Sequence, residues 1–84
     1  MSIEAMAWAW EQPVPPITKL VLLALADDAT PDGEVWPALN RIATKCGVTK
    51  PDLSRRMRYS AARGYLSLSN FPTSAVILNL KGRP

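Results

Sequence analysis

The residues of this chain whose types and spacing best suit chemistry are basic and lie close together in segment 47–58, GVTKPDLSRRMR. Four of its side chains are lysine or arginine, and Asp52 is the one acidic residue among them. Arginine can bond a carboxylate, a phosphate or a guanine edge with two parallel hydrogen bonds. The segment is therefore either a solvated charged helix or a helix that lies on a negatively charged partner.

Catalytic chemistry lacks its usual residues in this chain. There is no histidine and a single cysteine, Cys46, so neither a Cys/His zinc cluster nor a Ser–His or Cys–His nucleophile pair can form. No glycine-rich phosphate loop is present, and the acidic stretch DDATPDGE does not match an EF-hand loop. We expect no enzymatic activity, cofactor, metal or small-molecule ligand, and Cys46 is interpreted as a core residue rather than a redox sensor.

The charges of the chain are distributed unevenly between its two halves. Residues 1–40 hold six acidic and one basic side chain, whereas residues 41–84 hold nine basic and one acidic, giving −5 and +8. Such asymmetry favours a basic face directed at a polyanion. The alternative is that folding brings the two halves together and the opposite charges cancel.

The length and the terminal segments indicate one small domain in a reducing compartment. Eighty-four residues suit a single domain. The N-terminal MSIEAM lacks the basic start of a signal peptide, and the longest apolar run, LVLLALA at 20–26, is too short to span a bilayer. A lone thiol suits the cytosol, so we expect a cytoplasmic protein without a membrane segment.

Residues 1–13 form a separate N-terminal segment, expected to be extended or to pack on the domain. Met6, Trp8 and Trp10 alternate with alanines, which favours a short strand, although alanine also favours a helix. Two indoles this close either cover the core or form a homodimer contact.

Three helices are predicted to follow. Pro16 suits the first residue of a helix whose apolar pattern covers 17–29. Pro37 would begin a second helix, to about residue 45, and Gly47 would end it. The third helix, about 50–63, would have Thr49 as its N-cap, with Pro51 tolerated in the first turn and an acidic side chain at the third position.

The rest of the chain predicts short strands. Residues 35–36 form a very short strand, and 65–68 and 75–80 are the two arms of a hairpin whose tip is SNFPTS. Residues 81–84, KGRP, are a tail or the start of a linker.

The predicted third helix has two distinct sides. At 100° per residue, Leu53, Met57, Ser60 and Ala61 share one side, and the opposite side carries Arg55, Arg58, Tyr59 and Ala62. An ordinary solvated helix mixes charges of both signs, whereas this one has a single acid, in its first turn. A helix that reads DNA is favoured over an exposed face that only aids solubility.

The segment LNRIATKCGVTKPDLSRRM resembles the helix-turn-helix signature. Ala43 stands where the two helices cross, Gly47 is the turn glycine, Val48 the apolar residue after it, and Leu53 the buried residue of the second helix. RGYL followed by a hairpin resembles the winged version, and residues 14–80 are similar to domains of phage and bacterial replication initiators and transcription regulators. The resemblance implies a mainly α, three-helix winged helix-turn-helix domain with a small β-hairpin.

The resemblance also implies a function. The third helix would enter the major groove of double-stranded DNA and read its sequence in the nucleoid, while the second helix and the hairpin tip contact the backbone. A winged-helix module for protein association, or for dimerisation through Trp8 and Trp10, is the alternative. The candidate DNA-binding residues are Arg41, Lys45, Thr49, Lys50, Ser54, Arg55, Arg58, Tyr59, Asn70 and Thr73.

Overall fold

A computed structural model describes residues 2–68 and 75–80 of the chain. Within these residues a helical domain carries a small antiparallel sheet, which confirms the predicted mainly α, winged helix-turn-helix class. One helix more than predicted is present, because the N-terminal segment is helical. The elements in chain order are α1 (Ile3–Glu11), α2 (Pro16–Asp27), β1 (Glu34–Val35), α3 (Leu39–Cys46), α4 (Lys50–Ala62), β2 (Leu66–Leu68) and β3 (Val76–Leu78).

The strand favoured for the N-terminal segment is wrong, and α1 takes its place. Ser2 is the N-cap, and its hydroxyl accepts a hydrogen bond from the backbone N–H of Ala5 at 3.2 Å. The buried residues are Ala5, Trp8 and Ala9, which recur at helical spacing. Trp8 therefore packs in the core, which is the first of the two alternatives, whereas Trp10 is 63% exposed and does not.

Lys19 of α2 caps the C-terminal end of α1 through hydrogen bonds. Its Nζ donates to the carbonyl oxygens of Ala9, Trp10 and Gln12 at 3.1, 2.6 and 2.6 Å. The last carbonyls of a helix have no partner within the helix and carry partial negative charge, so an ammonium group is well placed there. The two helices are thus joined by polar contacts at their loop as well as by packing.

The boundaries of α2 and α3 differ slightly from the predicted ones. Helix α2 begins at Pro16, as predicted, and ends two residues early at Asp27. Helix α3 begins at Leu39 rather than at Pro37, because Ala38 occupies the N-cap position in an extended conformation and offers no side-chain hydrogen bond.

The sheet has the order β1–β3–β2 and is antiparallel throughout. Val35 pairs with Val76, and Leu66 pairs with Leu78, so the predicted hairpin is present and β1 adds a third strand beside it. The first strand begins one residue before the predicted position and leaves Trp36 outside it, 65% exposed. The hairpin tip 69–74 and the tail 81–84 lie outside the described residues.

One hydrophobic core is shared by the helices and the sheet. Its largest fully buried side chains from the helices are Leu22, Leu25, Ile42, Leu53 and Met57, and the strands add Val35 and Val76. Helix α4 contributes two of these anchors, so its orientation is set by packing against α2, α3 and β2.

Candidate nucleic-acid interface

The turn between α3 and α4 has the geometry that the glycine predicted. Gly47 is left-handed, with φ 71°, and its N–H donates to Thr44 O at 3.2 Å. The N–H of Val48 donates to Ala43 O at 3.0 Å, completing a Schellman motif. These bonds use the free carbonyls at the end of α3 and set the direction in which the chain enters α4.

The beginning of α4 confirms the predicted cap. The Thr49 hydroxyl accepts a hydrogen bond from the backbone N–H of Asp52 at 3.2 Å, and Lys50 is the first helical residue. Pro51 is the second, where a missing N–H costs no helical hydrogen bond. The proline that interrupted the charged segment is therefore compatible with a helix throughout 50–62.

Helix α4 is buried on one side and exposed on the other, as its periodicity predicted. Leu53, Met57 and Ser60 are fully buried, and the Ser60 hydroxyl is satisfied because it donates to Arg56 O at 2.9 Å. The side chains left on the outside, which we call the α4 outer face, are Lys50, Arg55, Arg58, Tyr59 and Ala62, with Ser54 half-buried at its edge.

Asp52 is held by two arginines of its own helix. Arg56 Nε lies 3.2 Å from Asp52 Oδ2, and Arg55 Nη2 donates to Oδ1. The hydrogen bond from Arg56, followed by that from Arg55, lowers the pKa of the Asp52 carboxyl below its ordinary value despite partial burial. The carboxylate of Asp52, the one acid of the helix, is therefore ionised. Together with the two arginines that bind it, it carries a net charge of +1.

The two candidate residues of α3 already have acidic neighbours. Arg41 Nη2 lies 2.7 Å from Asp28 Oδ2, and Lys45 Nζ lies 3.6 Å from Asp27 Oδ2. The acidic half and the basic half of the chain thus meet at the end of α2, and part of the charge asymmetry cancels there. Exposed ion pairs of this kind contribute about 0–1 kcal/mol, so both bases can exchange partners.

Two arginines that the sequence prediction left out also belong to this region. Arg56 holds Asp52, and the Arg63 guanidinium lies 4.9 Å from the centre of the Tyr59 ring. The spacing of four residues in both pairs is the signal that could have revealed them. Of the other candidates, Asn70 and Thr73 lie outside the described residues.

Cys46 packs in the core at the end of α3, as predicted. It is 8% exposed, and burial raises the pKa of its thiol, with the nearby Lys45 acting in the opposite direction. A thiol with a raised pKa is a poor nucleophile, which argues against a redox role.

Comparison with known proteins supports the helix-turn-helix arrangement. The helix-turn-helix domain family matches residues 15–66, more than half of the chain and the range that contains α2, β1, α3 and α4. The chain belongs to this family. No curated protein and no solved structure matches the chain.

Membership in the helix-turn-helix domain family indicates DNA binding in general terms, and domains of this family are typically not enzymes. DNA is accordingly the indicated partner. In the part of the chain that the structure describes, no helix has the length and apolar character needed to cross a membrane.

Proposed function

We propose that this helix-turn-helix domain binds double-stranded DNA sequence-specifically, with α4 in the major groove. The observation that carries the proposal is the division of α4 into two sides. Leu53 and Met57 are fully buried and fix the helix, while Arg55 and Arg58 are exposed on the α4 outer face. A major groove accepts a helix of this width, and arginine is the side chain best suited to guanine.

The residues at the start of α4 suit contacts with the DNA edge and backbone. The Thr49 hydroxyl accepts from Asp52 N–H, so its own hydrogen remains available for a phosphate oxygen. Lys50 is exposed in the same turn, and Ser54 follows one turn later. Base contacts are assigned to Ser54 and Arg58, and backbone contacts to Thr49, Lys50 and Arg55.

Helix α3 would lie across the DNA backbone. Arg41 and Lys45 would then exchange the carboxylates of Asp28 and Asp27 for phosphates. This exchange is favourable because the ion pairs are exposed and a phosphate contact also releases condensed cations. Tyr59 would contact the backbone from the α4 outer face, while Asn70 and Thr73 would contact it from the hairpin tip.

The resemblance to phage and bacterial domains supports a role in replication initiation or transcription regulation, performed on DNA in the cytoplasm. A genomic binding assay separates these roles. Sites concentrated at a replication origin support the first role, and sites concentrated in promoters support the second.

Fluorescence anisotropy with the 84-residue chain and a random-sequence duplex tests the proposal. The logarithm of the binding constant should fall linearly with the logarithm of salt concentration, by about 0.9 per phosphate neutralised. The absence of binding at low salt, or a response that does not change with salt, contradicts the proposal.

A selected DNA site then tests the base contacts. Arg58→Ala should weaken binding to that site by about 1–3 kcal/mol and relax the preference at one base pair. Glu11→Ala, a truncation at an exposed position of α1, is the control; it removes a negative charge and should bind at least as tightly as the parent. Equal affinities of the Arg58→Ala variant and the parent would remove Arg58 from the interface.

The second candidate function is association with another protein chain through α1. Ile3 and Trp10 are 81% and 63% exposed and stand seven residues apart, on one side of the helix. Trp8, which the sequence prediction grouped with Trp10 in a dimer contact, is buried and unavailable. Any such contact therefore involves Trp10 with Ile3.

Sedimentation velocity tests this candidate. If the parent forms a dimer, Trp10→Ala should shift it toward the monomer, whereas Trp36→Ala should not. Trp36 is a matched control because it is equally exposed but lies after β1. A parent that stays monomeric at high concentration excludes a homodimer through α1.

A further inference from the structure

A small pocket opens beside the α4 outer face, between the beginning of α2 and the middle of α4. Its volume is about 260 Å³, and it is lined by Pro15, Thr18, Arg55, Arg56 and Tyr59. Pro15 is the N-cap of α2 and Thr18 lies in its first turn, and α4 supplies the other three residues.

The beginning of α2 offers hydrogen-bond donors without partners in the helix. Its N-cap is Pro15, which makes no side-chain capping bond, and Pro16 follows at the first helical position. The first backbone bond of the helix runs from Lys19 N to Pro15 O at 2.8 Å. The N–H groups of Ile17 and Thr18 therefore remain at the positive end of a twelve-residue helix.

Thr18 brings a side-chain hydroxyl to the same turn of α2. Thr18 is only 3% exposed, and its hydroxyl makes no hydrogen bond to any described residue. Among the described side chains, Trp8 Nε1 is the one buried polar atom that is shut off from both a partner and solvent. The Thr18 hydroxyl therefore reaches open space, and the pocket is the space that Thr18 lines.

The charge of the pocket favours an anion. Arg55 and Arg56 share the single carboxylate of Asp52, so one positive charge is left over. Tyr59 adds a phenol that can donate a hydrogen bond. The Thr18 hydroxyl and N–H, two guanidinium groups and a phenol belong to residues that line one pocket, and together they match an oxyanion with several acceptor oxygens.

We infer that this pocket binds a phosphate oxyanion and that its occupant in the complex is a backbone phosphodiester of the duplex. Arg55 and Tyr59 belong to the α4 outer face as well as to the pocket, so a duplex held by that face would bring its backbone to the beginning of α2. The identity of the occupant rests on the proposed function, whereas the phosphate chemistry does not. The inference adds Thr18 and the first turn of α2 to the interface.

Titration of the isotope-labelled chain with inorganic phosphate tests the chemistry without DNA. The amide resonances of Ile17 and Thr18 should move saturably, and the same titration should move them much less in Thr18→Val. Thr18→Ser keeps the hydroxyl and should respond as the parent does. Unmoved Ile17 and Thr18 amides in the parent would overturn the phosphate site.

A set of duplexes, each with one neutral methylphosphonate, tests the occupant. For the parent, one modified position should weaken binding about tenfold, the size expected of one lost charge-assisted hydrogen bond. Thr18→Val should bind the unmodified duplex about tenfold more weakly and lose nothing further at that position. Equal losses in parent and variant at every position would overturn the assignment of a phosphodiester to the pocket.

The outcomes separate this inference from the proposed function. If the parent binds DNA but Thr18→Val binds equally well, the pocket assignment fails and the DNA-binding proposal stands. If phosphate moves the amides but the duplex does not bind, the occupant is wrong and the phosphate site stands. If Thr18→Val does not fold, Thr18→Ala, which also lacks the hydroxyl, takes its place in the same cycle and should show the same coupling.

Discussion

The backbone N–H of Asp52 donates to the Thr49 hydroxyl at 3.2 Å, and this bond fixes the residue at which α4 begins. The Asp52 side chain, at the same place, bonds Arg56 and Arg55. Asp52 therefore stabilises the start of the proposed recognition helix in two ways. Its main-chain N–H binds the cap, and its carboxylate pairs with two arginines.

Removal of the cap should destabilise the domain. Thr49→Ala leaves one N–H of the first turn without its acceptor and should lower the free energy of unfolding by about 1 kcal/mol. Urea unfolding followed by circular dichroism measures the change. Thr44→Ala is the control, because the exposed Thr44 hydroxyl only bonds the Asn40 carbonyl within α3. If both variants lose equal stability, the Thr49 cap contributes no more to the free energy of unfolding than the Thr44 hydroxyl does.

Two glycines should respond differently to alanine. Both are left-handed, with φ 86° at Gly33 and 71° at Gly47, which costs an alanine about 1–2 kcal/mol. At Gly47 an added Cβ meets open space, whereas at Gly33 it would lie 2.8 Å from Leu78 O. Gly33→Ala should therefore lower the thermal unfolding midpoint more than Gly47→Ala, and the reverse order would contradict the packing of residues 30–33 on β3.

Lys19 should stabilise the domain more than a surface lysine does. Lys19→Met keeps most of the stem but removes hydrogen bonds to three carbonyls, and should cost about 2 kcal/mol in free energy of unfolding. Lys45→Met, which breaks only an exposed ion pair, should cost about 1 kcal/mol or less. Chemical denaturation of both variants measures the difference, and equal losses would show that the end of α1 does not depend on Lys19.

Asp52 should make the stability of the domain depend on acid pH. The pKa of its carboxyl is lower in the folded chain than in the unfolded chain, where it is about 3.9. Its contribution is therefore complete above about pH 5 and is lost as the pH falls through the unfolded and then the folded pKa. The stability difference between the parent and Asp52→Asn should shrink over this range, as measured by urea midpoints from pH 7 downward. A difference that is independent of pH would contradict the ion pairs.

The helix-turn-helix could be predicted from sequence because its signals are local. Gly47, Thr49 and Pro51 determine the end of α3 and the start of α4 within five residues, and the spacing of Leu53 and Met57 selects the buried side. Each signal depends on backbone chemistry rather than on contacts with distant residues.

Other features depend on contacts or on weaker signals. Two of the three buried residues of α1 are alanines, which give a weak hydrophobic signal. The larger side chains of Met6, Trp8 and Trp10 alternate along the sequence, and this stronger pattern favours a strand. The pairing of Arg41 with Asp28 requires α2 and α3 to be packed first. Nothing in the sequence distinguishes Thr18 from other threonines. The pocket that it lines exists only because α4 packs beside the start of α2.

The burial of residues on both sides of the matched range has a consequence for dissecting the protein. The family match begins at residue 15 and ends at 66, yet Ala5, Trp8, Val76 and Leu78 pack into the same core. The range that matches the family is thus shorter than the range whose residues share one core. A chimaera cut at the borders of the match would expose apolar surface at both ends, whereas one that carries 2–80 would keep every described core residue.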